Sequence, residues 1–190
     1  MISHARLIPM TEQEYLDFEM KSPERHEYVA GEVFAMVGAS RAHNQISGNV
    51  YTLLRSLARK KGCEAFINEL KVRIRPARAY YYPDVVVTCT QNDSDPYVIS
   101  QPVLIVEVLS PSTEAIDRRE KLLAYRQIES LKEYLIVAQD RVWAAVYRRD
   151  EAGGWWQDVI EDPEAEFELE TVGLGITLSQ VYEGVRLCET

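Results

Sequence analysis

Residues 102–113 read PVLIVEVLSPST, and residues 80–87 read YYYPDVVV. The first stretch is an apolar run of strand length with one acid, Glu107, in its middle. Strands buried on both faces appear in sequence as unbroken Val/Ile/Leu runs rather than as alternating ones. An ionised carboxylate inside such a run is costly unless it is paired or binds a metal. In the second stretch Asp84 follows Pro83 and opens the β-branched run Val85-Val86-Val87. Two acids, 23 positions apart, therefore fall on two strands expected to be buried. Function explains such placement better than chance does.

The rest of the chain supplies helices and further strands around that pair. Thr11 followed by Glu14 reads as a capping box opening a helix that ends near Pro23. Residues 26–37 read as two short strands about a turn at Ala30-Gly31. Ser40 caps a long helix through Lys61, with Ile46, Val50, Leu53, Leu54 and Leu57 at helical spacing and Gly62 as its stop. Strands are expected at 63–67, 70–74, 84–88, 103–109, 133–138, 142–149 and 155–160. Residues 91–96 read as a polar loop, a helix runs from after Thr113 to about Ile128, and a short helix near 178–182 closes the chain. This order predicts an α/β fold, a mixed β-sheet core flanked by helices with additional β-hairpins, in one domain over residues 1–190.

Charge is unevenly spread. From Asp150 onward the chain holds eleven of its 30 acids but a single basic residue, Arg186, so the remaining 20 bases and 19 acids leave residues 1–149 nearly neutral. Between Leu54 and Arg78, eight basic residues (Arg73, Arg75 and Arg78 among them) meet only Glu64 and Glu69. A polyanionic partner would approach that face and avoid the acidic C-terminal part; the plainer reading is a solvated charged surface. No run has membrane-spanning length, and the N-terminus lacks the apolar core of a signal peptide. Cys63, Cys89 and Cys188 are isolated and odd in number, which predicts no disulfide framework, no zinc site and a cytoplasmic setting.

Period-two alternation puts Glu107 and Leu109 on one strand face. Asp117, Lys121 and Tyr125 are four apart and share one face of the helix that follows. Asp84, Glu107 and Lys121 can then meet at one end of the sheet. Close carboxylates repel unless a cation sits between them. A hard divalent ion such as Mg²⁺ takes one or two carboxylates and binds substrate phosphate, and a nearby lysine stabilises developing charge.

Several segments carry a resemblance. Residues 24–32 (ERHEYVAGE), 43–49 (HNQISGN), 82–87 (YPDVVV) and 106–113 (VEVLSPST), continued by Asp117, Lys121, Tyr125 and Glu133-Tyr134, are similar to the Uma-two family within the PD-(D/E)XK nuclease superfamily. The resemblance covers roughly residues 10–185. It implies a restriction-endonuclease-like fold and a metal-dependent endonuclease acting on nucleic acid, DNA first. It implies Mg²⁺, with Mn²⁺ able to substitute, on Asp84 and Glu107, with the Val108 carbonyl as a third donor. The superfamily lysine normally lies two residues after the acid, where this chain has Leu109, so the resemblance assigns the role to Lys121. Glu27 matches an additional N-terminal acid, and His43 a family position of unassigned role. Arg73, Arg75 and Arg78 are the candidates for phosphate contact, and a homodimer is expected because duplex cleavage calls for two sites.

Each candidate has a structural alternative. Asp84 can bond neighbouring backbone N–H groups, Glu107 can pair with a buried arginine, Glu27 can pair with Arg25 or Lys71, and the Tyr80–Tyr82 side chains can be core packing instead of base-stacking. Two rival functions stand beside the nuclease. One is a non-catalytic nucleic-acid-binding or protein-interaction module on the same fold, favoured by Leu109 and the net acidity. The other is a metal-free glycosidase-type acid pair.

Overall fold

A computed structural model describes residues 9–90, 93, 95–110 and 117–187. Among them a six-stranded sheet runs in the order β11-β10-β9-β8-β6-β3. Its strands are β3 (Glu64–Ile67), β6 (Val85–Thr88), β8 (Pro102–Leu109), β9 (Glu133–Ala138), β10 (Ala144–Arg149) and β11 (Trp155–Ile160). The β8–β9 pair is parallel and the other neighbours are antiparallel. A parallel pair requires a crossover, and the chain between β8 and β9 supplies it through a π-helical turn (Asp117–Lys121) that passes into a short helix α3 (Leu122–Tyr125). The loop and helix start expected at residues 111–116 lie outside the described residues, as do parts of the polar loop at 91–96.

Apart from Glu107 and Glu133, the two central strands carry no charged residue because both of their faces are covered. On one face, Leu104, Val106 and Val108 of β8 pack with Ile46, Val50 and Leu54 of α2 (Arg41–Lys60) and with Phe167 and Ile176. The last two belong to the small hairpin of β12 (Glu166–Leu169) and β13 (Leu174–Thr177). On the other face, Ile105 and Leu109 pack with Tyr81, Tyr125, Leu131 and Tyr134. Full burial of each such aliphatic side chain contributes about 1.5–3 kcal/mol.

A second, five-stranded sheet runs β2-β1-β5-β4-β7. It holds β1 (His26–Val29), β2 (Glu32–Ala35), β4 (Lys71–Ile74), β5 (Ala79–Tyr81) and β7 (Val98–Ile99). Ala30 and Gly31, both at positive φ, make the tight β1–β2 turn that the right-handed strand twist favours. The helix α1 (Glu12–Glu19) carries the expected capping box at Thr11 and Glu14 and packs Tyr15 against Tyr28 and Tyr80. In α2, the Ser40 hydroxyl accepts the His43 N–H, and Gly62 (φ 74°) follows its end. A last helix, α4 (Leu178–Val181), is capped by Thr177.

One sequence expectation is overturned here. Cys63 and Cys89 form a disulfide, with Cα atoms 4.0 Å apart. The β3–β6 register places Glu64 opposite Thr88, so these cysteines form the next pair outward on an antiparallel ladder. A separation of 26 residues hides that pairing from any reading of cysteine spacing. Cys188 lies outside the described residues.

Candidate active site

The C-terminal end of β8, the start of β6, the first strand of the second sheet, the N-terminus of α2 and the π-helical turn all meet at one place. Each contributes one polar side chain. Register makes this possible: Val85 pairs with Val106, so Asp84, one residue before β6, reaches the level of Glu107 and Val108. Its Oδ2 accepts the Val108 N–H at 2.7 Å, and its Oδ1 lies 2.6 Å from His43 Nε2. His43 is delivered by the first turn of α2, whose cap Ser40 also donates to Gln139 Oε1 at 2.6 Å, just past β9. That bond holds the helix start against the sheet end.

Glu107 is 4% exposed. Its Oε1 accepts the Tyr125 hydroxyl at 2.8 Å and lies 3.3 Å from Lys121 Nζ. The same ammonium lies 2.9 Å from Glu27 Oε1 and over the ring of Tyr81. Glu27 also accepts the Tyr82 N–H at 3.4 Å. Lys121 and Tyr125 both reach Glu107 because they sit one helical turn apart. Burial first, and then Glu107, holds the Tyr125 phenol well above its usual pKa. Burial followed by Glu27 pushes Tyr81 up to about 12. Both tyrosines are therefore neutral hydrogen-bonding or packing groups at any physiological pH.

The structure thus brings together Glu27, His43, Asp84, Glu107 and Lys121. Leu109 is 3% exposed and packs in the apolar cluster, so the position two after the acid cannot serve the site; Lys121 reaches Glu107 from the crossover. Glu27 pairs with this lysine, 94 residues away, and with neither Arg25 nor Lys71. Arg25 pairs with Glu69, and Lys71 is buried beside Tyr82. Sequence reasoning placed Tyr125 on the same helix face as Lys121 without giving it the Glu107 carboxylate, and read Tyr81 only as core packing or base stacking, with no local signal for its place over Lys121.

The basic candidates are dispersed. Arg73 pairs with Glu12 at 2.8 Å and stacks over Tyr80. Arg75 and Arg78 are exposed at the β4–β5 turn. Arg55, Arg59 and Lys60 lie on the far half of α2, and Arg59 is about 24 Å along the helix from His43 at 1.5 Å per residue. Arg41 and Arg119, next but one to His43 and Lys121 in sequence, are exposed beside the site. Tyr80, Tyr81 and Tyr82 are buried, as core packing requires.

Carboxylate oxygens are the donors a hard divalent cation takes, so the chemistry of the set fits Mg²⁺ or Mn²⁺. The arrangement, however, already contains basic side chains of the protein. Lys121 lies against Glu27 and Glu107, and His43 lies against Asp84. Among the described residues, no three acid, imidazole or thiol groups converge as a ready-made metal shell.

Comparison with known proteins agrees with this architecture. A crystal structure of a "putative nuclease belonging to DUF820" from Anabaena variabilis superposes with a TM-score of 0.77 over 94% of this chain and 100% of that one, at 17% identity. Two uncharacterized proteins of Synechocystis sp. are similar in sequence. The protein slr1290 is 36% identical over 97% of this chain and 99% of its own length, and sll1609 is 34% identical over 68% and 75%. Residues 12–180 match the model of the family described as "putative restriction endonuclease". The chain belongs to that family, Uma2, and has its nuclease-like mixed α/β fold.

Proposed function

We propose that this protein is a divalent-metal-dependent endonuclease that hydrolyses phosphodiester bonds of nucleic acid, with DNA as its substrate. One observation carries the reading: Glu27 and Glu107, on strands of different sheets, share the Lys121 ammonium, and Asp84 accepts the N–H of Val108, the residue after Glu107, with all three acid side chains at most 16% exposed. Nothing in the packing of a sheet end requires three acids there, and their mutual repulsion is relieved by cations.

In this reading Asp84 and Glu107 hold the metal, with the Val108 carbonyl and Glu27 as further oxygen donors. When bound, the ion lowers the pKa of a water and offsets charge on the phosphate. The remaining steps belong to the chain. The Val108 N–H and His43 fix the Asp84 carboxylate, and the Tyr125 hydroxyl fixes Glu107. Lys121 stabilises the charge developing on the scissile phosphate or orients the attacking water. Exposed Arg41 and Arg119 take the flanking phosphates, and Arg75 and Arg78 extend that contact. Arg73 is already held by Glu12 and contributes less. Cleavage of both strands of a duplex then uses a homodimer. The proposed setting is the cytoplasm, where such a substrate lies; with the disulfide found, cysteine usage no longer supports that placement.

The test is nicking of supercoiled plasmid, with single-stranded DNA and RNA in parallel, by wild type and D84A in Mg²⁺ or Mn²⁺. Metal-dependent products from the wild type, absent with D84A and with EDTA, support the reading. Binding of DNA without products under any metal would transfer it to the non-catalytic module.

A further inference from the structure

We infer that Lys121 is an exchangeable counter-ion. It neutralises the acid cluster in the metal-free protein and is displaced when a divalent cation enters, becoming available to the scissile phosphate. This rests on the proposed metal-dependent reading and goes beyond it.

Three observations lead there. The ammonium of Lys121 touches both Glu27 and Glu107, at 2.9 and 3.3 Å, and its side chain is only 7% exposed. A cation bridging two buried acids occupies the electrostatic position that a metal would take, and two cations cannot share it without strong repulsion. Lysine also has the chemistry for leaving. It is a compact charge on a flexible four-carbon stem, without the forked geometry that locks an arginine to a carboxylate. Finally, it closes a π-helical turn, a backbone form that recurs at functional sites.

Metal entry and lysine release are then one exchange. Removing the lysine charge leaves the acids free for the metal, so the variant that loses catalysis gains affinity. Two readouts besides activity test this. In calorimetric titration with Mn²⁺ at one pH, K121M is expected to bind at least about tenfold more tightly than wild type, about 1.4 kcal/mol. In mass-spectrometric mapping with an amine-acetylating reagent, wild-type Lys121 is expected to be protected in EDTA and labelled in Mn²⁺, with surface lysines unchanged. The labelling needs no variant, so it stands even if K121M fails to fold. Equal or weaker Mn²⁺ binding by a folded K121M, or Lys121 labelling indifferent to metal, overturns the exchange and leaves the metal site standing. Absence of Mn²⁺ binding in both proteins at millimolar metal overturns the exchange and the metal-dependent reading together.

Discussion

Glu107 and Glu133 lie on adjacent parallel strands of the same sheet, both nearly inaccessible, yet they are handled in opposite ways. Glu133, at the start of β9, is saturated. Its Oε1 accepts Arg148 Nε at 3.1 Å and the Glu170 N–H at 3.0 Å, and its Oε2 accepts the Thr171 N–H at 2.8 Å. Arg148 uses its remaining donors on Asp158 and on the Glu168 carbonyl, and lies over the Trp156 ring. The result joins β9, β10, β11 and the C-terminal hairpin through one arginine. Glu107, near the other end of the sheet, has a lysine and a tyrosine, and shares the lysine with Glu27. Arg148 is a rigid fork that holds one buried carboxylate and otherwise reaches exposed acids, whereas Lys121 is a single ammonium on an unbranched stem between two buried ones. Burial alone therefore does not identify a functional carboxylate. The number of buried acids that share a cation, and the geometry of that cation, do.

That contrast can be broken experimentally. The largest effect expected is on cleavage by E107Q, which should fall by at least about 10³-fold, roughly 4 kcal/mol in the barrier, while thermal stability changes little because Lys121 keeps Glu27 and the glutamine keeps an acceptor for Tyr125. A plasmid-nicking time course beside a melting curve checks both halves. At the other cluster the signature inverts. R148M leaves Glu133 buried without its cation and should cost about 3–5 kcal/mol in a denaturant titration, with specific activity of the folded fraction retained. E133Q/R148M should recover much of that loss.

Y125F sharpens the comparison on a smaller scale. Loss of the hydroxyl that Glu107 accepts should cost about 1–3 kcal/mol of stability and slow cleavage modestly, where an equivalent loss far from the site would affect stability alone. The smallest effect at neutral pH concerns alkaline stability. Tyr80, Tyr81 and Tyr182 are each pushed up to about 12, chiefly by burial, against about 10 when unfolded. Below pH 10 both states are protonated. Between about 10 and 12 the unfolded chain releases protons that the folded chain keeps, so stability falls as pH rises. Melting temperatures across pH 8–11 should show this decline, and Y81F should make it shallower.

Features written locally were legible in the sequence. The Thr11 and Ser40 caps, the apolar stripe of α2 and the continuous apolar runs of β6 and β8 each follow from a few neighbouring residues, and they place Asp84 and Glu107 at once. Features made by distant pairing were not legible. The three-residue strand β5 merges in sequence with the run into Asp84, and the separate five-stranded sheet exists only through its pairing. The alternating β12 segment, with Phe167 and Leu169 buried between exposed acids, was lost inside the acidic C-terminal part. The Cys63–Cys89 bond and the Glu27–Lys121 pair likewise join residues that no local spacing connects.

The most direct measurement is calorimetric titration of Mn²⁺ into wild type, E107Q and E133Q, each first shown to be folded. Saturable binding by wild type and E133Q, abolished in E107Q, is the predicted result. Equal binding by wild type and E107Q, or no binding by the folded wild type, would contradict the assignment of this sheet end as a metal-dependent catalytic centre.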